Sequence, residues 1–395
     1  MNKELGQYYT HQNISKLLIS KIFAKNPKKI LELGVGDGSL FRAAKDRWKN
    51  SDLIGGDIDI RNVHSLKKEF PDTNIYFING LSSNLRSDLK IEFGSVDVGI
   101  CNPPYIAIKK SEDLGKILEQ SNLGFLHEYS QVTSDLIFLA QNLLLLKDGG
   151  ELGIIIPDGL ITSHFFENFR RNLIQNYQLK GVIELPSKIF PKTEAKTHIL
   201  IIKKGKITNY QVPIYLSNDV GEITSKIFVK KKDLIIRMDY KYNYWKRSCT
   251  GNGKTLSELG AVIFRGKPSK KELVQSGNLF LHTSDLQRPF QRMKFHSNSL
   301  FENLPFAQAG DIVIPRVGKR LEKVSIITSG KVVISDCVYV IRVEKKYRQA
   351  VINSLVSCNG KEWINAHAHG VCAKVISKID LLNFRLMVDS DASHS

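Results

Sequence analysis

The chain has 395 residues, more than one ordinary core of roughly 100–200 residues accommodates, so two domains are expected. Its 57 Lys and Arg stand against 39 Asp and Glu, a formal charge of +18, which points to a polyanionic partner or an anionic surface. No apolar run reaches the roughly 18–20 residues of a membrane-spanning helix, and the N-terminal MNKELGQYYTHQN lacks the apolar stretch of a signal peptide. Five Cys (101, 249, 337, 358 and 372) without a C-x-x-C pair argue against a disulfide framework or a zinc knuckle, and a cytoplasmic protein is expected.

From residue 29 to about 204, short β-rich runs alternate with amphipathic helical segments. Strands are expected at Lys29–Leu33, Leu53–Ile58, Ile75–Ile78, Val96–Ile100, Glu151–Ile156, Leu179–Leu185 and Thr197–Ile202. Helices are expected at Phe41–Trp48, Val63–Phe70, Asp135–Leu146 and His164–Asn176. Strands separated by helices imply βαβ units: an α/β fold with a doubly wound, mainly parallel, Rossmann-like sheet whose ligands bind at the carboxyl ends of the strands.

The first strand runs from Ile30-Leu31-Glu32-Leu33 into Gly34-Val35-Gly36-Asp37-Gly38. Glycines at that turn let backbone approach a ligand closely. Ser39 stands where a dinucleotide fingerprint has its third glycine, and Glu32 would repel a pyrophosphate. A carboxylate there suits a cofactor with an ammonium or sulfonium group, and S-adenosylmethionine fits. Asp57, closing the second strand, suits ribose hydroxyls, while Asp59 suits a helix cap.

Asn102-Pro103-Pro104-Tyr105 follows the fourth strand directly. The prolines fix the backbone and remove competing N–H groups. An Asn oxygen and a proline carbonyl can together accept both hydrogens of an exocyclic amino group, which aims the nitrogen lone pair at an electrophilic methyl. Tyr105 offers a face for base stacking, worth roughly 1–3 kcal/mol per base. No general base is needed, since positioning does most of the work. Cys101 reads as a small buried strand-end residue.

Glu32 to Gly38 followed by Asn102-Pro103-Pro104-Tyr105 resembles the S-adenosylmethionine-dependent DNA amino-methyltransferases, and the Asn form resembles the adenine-N6 enzymes. Leu5-Gly6-Gln7-Tyr8-Tyr9-Thr10 is similar to that family's motif X, with His11 where a Pro is usual, and the motif order is the gamma order. The resemblance implies that Thr10 contacts the methionine carboxylate, that Glu32, Leu33, Gly34, Val35 and Gly36 line the cofactor with Pro104 at its border, and that Asp57 holds the ribose. It assigns Phe190, in Ile189-Phe190-Pro191, to stacking on a flipped adenine opposite Tyr105. Asn79 stands where the family usually has an Asp that binds the cofactor's adenine, so an amide oxygen is expected to substitute. Because the motif X-like segment starts at residue 5, any cognate restriction endonuclease is expected to be a separate chain.

Beyond residue 206 helical periodicity fades, and strands are expected at Ala261–Phe264, Asp311–Ile314, Val324–Ile327 and Cys337–Val343. Domains are therefore drawn as a catalytic one over 1–234 and a β-rich α+β DNA-recognition one over 235–395. The first carries +6 and the second +12 of the formal charge. Segments around Gly310–Gly318 and Ile334–Ile341 resemble target-recognition domains of type I restriction specificity subunits. His367, His369 and Cys372 lack a fourth ligand, and no metal is expected.

The sequence thus points to a site-specific DNA methyltransferase acting on N6 of adenine, the modification enzyme of a restriction-modification system, with S-adenosyl-L-methionine as cofactor, double-stranded DNA as partner and a monomeric state. The open alternatives are methylation of cytosine N4, RNA or protein glutamine, or a non-catalytic DNA-specificity component.

Overall fold

The computed structural model describes residues 10–129, 132–187, 189, 196–248, 253–277, 279–296, 304–370 and 373–386. The chain divides into two compact units, Met1–Asn243 and Tyr244–Ser395.

The first unit is built on nine strands: β1 Lys29–Leu33, β2 Asp52–Asp57, β3 Asn74–Phe77, β4 Val96–Cys101, β5 Leu146–Pro157, β6 Gln178–Glu184, β7 Thr197–Lys203, β8 Gln211–Ser217 and β9 Ile223–Lys230. Their spatial order is β9-β8-β6-β7-β5-β4-β1-β2-β3. Strands β1 to β5 run parallel, and β7 lies antiparallel between β5 and β6. All seven strands expected between residues 29 and 204 form. The near-continuous apolar runs reflect burial on both faces.

Alternation within single strands supplies both layers: Leu31 and Leu33 join one core, while Ile30 joins the other. On one face lie helices α1 Gln12–Lys21, α2 Ser39–Arg47 and α3 Ile60–Glu69, contributing Leu18, Phe41 and Leu66. On the other lie α4 Ser134–Leu145 and α5 Glu167–Asn176, contributing Leu139 and Phe169. Residues 211–230, which carried no strand expectation, extend the same sheet: β8 pairs parallel with β6, and β9 closes the edge antiparallel. Their alternation is real but short, with Val212, Ile214 and Val229 buried on one side only.

The second unit contains a five-stranded sheet that includes 262–265, 338–342, 312–315, 324–329 and 290–294, and a three-stranded sheet of 280–281, 331–334 and 306–308. The four strands expected here form. Two helices that were not expected follow, Lys345–Val356 and Cys358–His367. The first buries Val351, Ile352 and Leu355, and the second is capped by Ser357, whose hydroxyl accepts the Gly360 N–H. Basic residues open the first helix and the caps are plain, so little in the local sequence marks it; packing against the sheet core stabilises it.

Candidate active site

Gly34, Gly36 and Gly38 all take left-handed φ angles, +76°, +54° and +83°, a conformation open to glycine at no steric cost. The turn is fastened to β2, with the Gly34 and Val35 N–H groups donating to the Gly56 carbonyl at 2.8 and 3.2 Å. One Asp57 oxygen accepts the Gly36 N–H at 2.8 Å and the other accepts the Asp59 N–H at 2.7 Å. Asp59 caps α3, as the sequence suggested, and pairs with Arg61.

A cleft above this turn is lined by Thr10, Glu32, Gly34, Val35, Gly36, Asp37, Ser39, Leu40 and Asn102. Glu32 is 2% exposed, and among the described residues its Oε2 has no hydrogen-bond partner. Burial pushes its pKa well above the usual carboxylate range, reinforced by Asp37 and Asp57. A buried acid without a partner is costly, and a cationic ligand in the cleft relieves that cost. This orphaned oxygen, beside backbone left bare by glycine, is the observation by which the residues present fit a cofactor with ammonium and sulfonium groups.

Asn102 leaves the end of β4 at the same cleft. Its Nδ2 donates to Thr10 Oγ1 at 2.9 Å, and its Oδ1 accepts the Tyr105 hydroxyl at 3.1 Å. The same hydroxyl lies 3.3 Å from the Ile155 carbonyl of β5. Thr10 and Asn102, 92 residues apart, are therefore neighbours. Pro103 is buried, whereas Pro104 and Tyr105 are half-buried. Ser134, at the start of α4, was not anticipated: its hydroxyl donates to the Pro104 carbonyl at 2.5 Å and accepts the Ile106 N–H at 3.2 Å. It clamps the Pro-Pro turn from a position 30 residues away, and no local signal announced it.

The remaining expected residues are placed differently. The Leu33 side chain lies in the core, and its carbonyl accepts the Cys101 thiol at 3.1 Å, so it stands outside the cleft lining. Burial raises the Cys101 thiol pKa, with Glu32 adding to it, as suits an inert strand-end residue. Asn79 is exposed, and its Oδ1 accepts the Leu81 N–H at 3.0 Å, an Asx turn within its own loop. Phe190 and the segment 5–9 lie outside the described residues. His367 Nδ1 bonds the Trp363 carbonyl at 2.8 Å while its ring stacks on Trp363 at 3.9 Å, and Cys372 lies outside the described residues.

Beyond Asn102, the carboxyl ends of β5 and β6 hold a buried ionic network that sequence reading missed. Lys196 lies 2.9 Å from Glu184 and 3.3 Å from Asp158, and His198 Nε2 lies 2.9 Å from Asp158. Arg237 grips Asp239 through two contacts of 2.8 and 2.9 Å, and Glu184 accepts the Lys241 N–H at 3.0 Å. Burial alone would raise the Asp158 pKa, but Lys196, His198 and Arg237 outweigh it and hold it well below the usual range. Lys196 is displaced upward in turn, with Glu184 and Asp158 overcoming its desolvation. The members are scattered over 158–241, which hides the network in the linear chain.

Asp135, next to the Ser134 clamp, contrasts with it. It is 1% exposed, neither oxygen makes a well-formed hydrogen bond among the described residues, and burial raises its pKa to about 6.

A doubly wound sheet with a glycine turn after β1 and an Asn-Pro-Pro-Tyr turn after β4 defines a Rossmann-like methyltransferase domain. The family model of the N-6 DNA methylases matches residues 1–237, and the chain belongs to that family. The cofactor this implies is S-adenosyl-L-methionine. The chain is 25% identical over 241 residues to the type II methyltransferase M.BsuBI of Bacillus subtilis, an alignment covering 55% of this chain and 47% of that one. It is 28% identical over 233 residues to M.HincII of Haemophilus influenzae, covering 58% and 42%. The chain thus spans about half the length of the curated relatives it matches. Among solved structures, the type IIG restriction endonuclease BpuSI aligns with a TM-score of 0.51 at 14% identity, over 96% of this chain and 58% of that one, a likeness of fold.

Proposed function

We propose that the protein is a site-specific DNA methyltransferase of a restriction-modification system that methylates N6 of adenine in double-stranded DNA. The observation that carries this is the junction of Asn102 with Thr10 and Tyr105 at the rim of the cleft holding Glu32 and the glycine turn. S-adenosyl-L-methionine supplies an electrophilic methyl group when bound. Thr10 takes the Asn102 amide N–H and so fixes which end of the amide is the acceptor. With Tyr105 withdrawn from Asn102 Oδ1, that oxygen and the Pro103 carbonyl accept the two hydrogens of the adenine amino group. The nitrogen lone pair then forms the new N–C bond as the sulfonium S–CH3 bond breaks, its electron pair staying on the departing thioether sulfur, and the amino proton leaves to water.

In this reading Tyr105 and Phe190 sandwich an adenine flipped out of the duplex. Glu32, Gly34, Val35, Gly36 and Pro104 border the cofactor. Asp57 positions the glycine turn and keeps lone pairs for the ribose, and Asn79 turns its amide from Leu81 toward the cofactor's adenine. The second unit reads the target: Arg265, Arg292, Lys294 and Arg320 are exposed there, suited to phosphate contacts and base edges. The enzyme acts as a monomer in the cytoplasm.

Sequencing of DNA from cells expressing the protein, with detection of modified adenine, is expected to show N6-methyladenine in one sequence motif. Asn102→Ala is expected to abolish it while the purified variant still binds S-adenosyl-L-methionine. Methyl transfer to RNA or protein instead of DNA, or unimpaired methylation by the variant, overturns the reading.

A further inference from the structure

On one face of the sheet extension α1 gives partial cover, with Tyr215 and Ile223 packed against its cluster, and Phe228 stays open. Strands β8 and β9 bury Ile214 and Val229 toward the core below, and their alternate residues point the other way: Pro213 pairs with Phe228 and Tyr215 with Lys226. Phe228 is 49% exposed, and Phe23, which follows α1 on the same side, is 56% exposed. Three lysines are laid over these rings. Lys21 Nζ and Lys226 Nζ lie 4.5 and 5.6 Å from the centre of the Tyr215 ring, Lys226 also sits 4.4 Å over Phe228, and Lys180 sits 4.7 Å over Phe23.

Two ammonium groups around one ring oppose each other. The Lys21 pKa is lowered, by burial first and by Lys226 second. Among the described residues none of the three lysines forms an ion pair with a carboxylate. Cation–π contact holds each ammonium in place while leaving its N–H groups directed outward. Such a surface is complementary to a row of anionic oxygens.

We propose that Lys21, Lys180 and Lys226 with Tyr215 and Phe228 form a sequence-independent contact for the phosphodiester backbone of the DNA substrate. This assignment rests on the function proposed above and extends it to a surface of the catalytic unit. Because β8 is parallel to β6, its carboxyl end lies on the same edge of the sheet as Asn102. Four strand steps separate β8 from β4, about 19 Å at roughly 4.8 Å per step, or about six base pairs at about 3.4 Å each. The patch therefore meets phosphates flanking the target adenine.

The test measures binding of full-length wild type and of Lys21→Ala/Lys226→Ala to a 40-base-pair duplex by fluorescence anisotropy across a salt series. Each phosphate contact contributes about 0.9 to the slope of log K against log salt. The double variant is expected to lose about 1.8 from that slope and so to bind about 60-fold more weakly near 0.1 M salt, the two proteins converging toward about 1 M. Its thermal midpoint and S-adenosyl-L-methionine binding should match wild type. Once the methylated position is mapped, trimming the duplex to about four base pairs on each side of it should erase the difference between the two proteins. If wild type binds duplex DNA and methylates it while the double variant keeps the same slope and affinity, the patch assignment falls and the proposed function stands. If wild type shows no salt-dependent binding to duplex DNA, the proposed function falls with it.

Discussion

Two regions on the same edge of the catalytic sheet handle buried charge in opposite ways. Around β5, β6 and β7, Asp158, Glu184 and Asp239 are each matched by Lys196, His198 or Arg237 at 2.8 to 3.3 Å. Around β1 and α4, Glu32 and Asp135 are equally buried, yet among the described residues Glu32 Oε2 and both Asp135 oxygens lack a well-formed hydrogen bond and no cation is paired with either. Compensated charge builds architecture, because removing one member strands the others. Uncompensated charge opposes the fold, and in Glu32 it faces a cleft where a cationic ligand would meet it. The sign of a neutralising substitution should therefore reverse between the two regions.

The largest effect is expected at Lys196. Lys196→Met leaves two buried carboxylates without their shared cation and should destabilise the protein by about 3–5 kcal/mol, read as a fall in the urea midpoint; an unchanged midpoint would break the contrast. Asp135 should behave in the opposite sense. Its folded pKa of about 6 lies above the ordinary 3.8, so the folded state holds the proton more tightly than the unfolded chain. Stability should fall as pH rises through that window and stay level above it, a loss of about 3 kcal/mol at 1.36 kcal/mol per unit. Asp135→Asn should remove most of this slope and raise the thermal midpoint more at pH 7.5 than at pH 4; a variant whose pH profile parallels wild type would show that Asp135 is not its source.

Glu32→Gln is expected to sharpen the comparison further, stabilising the cofactor-free protein by about 1–2 kcal/mol, within the usual cost of an unsatisfied buried group, while weakening S-adenosyl-L-methionine binding at least tenfold by calorimetry. Weaker binding together with lower stability would place Glu32 among the architectural charges. In wild type the same binding should strengthen as pH rises through the elevated Glu32 pKa, because a cationic ligand prefers the ionised acid. The smallest stability effect is expected at Ser134. Ser134→Ala loses the bonds to Pro104 and Ile106, about 1 kcal/mol of stability, and the looser turn should lower kcat several-fold with little change in cofactor affinity. A proportional loss of both would assign Ser134 to the fold alone.

The two turns that border the cleft were legible in the linear chain because they are contiguous backbone devices. The glycine turn after β1 and the Pro-Pro turn after β4 each need particular residues in sequence, and the apolar runs that precede them need no partner to be recognised as strands. The helices at 345–367 and the β8–β9 extension were not legible, because their periodicity is brief and tertiary burial outweighs weak local preference. Asn79 and Leu33 show what a motif leaves open: the family resemblance implies that both lie beside the cofactor, and the structure adds that the Asn79 oxygen accepts the Leu81 N–H and that the Leu33 side chain lies in the core.

By itself, then, the sequence determined the strands and helices of a doubly wound sheet along the chain, the family, and the glycine and Asn-Pro-Pro-Tyr turns that close β1 and β4, since each is written in short contiguous patterns. Only the tertiary structure decided which charges are compensated, that Ser134 holds the Pro104 turn, that Thr10 bonds Asn102, and that lysines from α1, β6 and β9 gather around the Tyr215, Phe228 and Phe23 rings. Those relations join residues dozens of positions apart, and hydrogen-bond and ion-pair geometry has no counterpart in linear spacing.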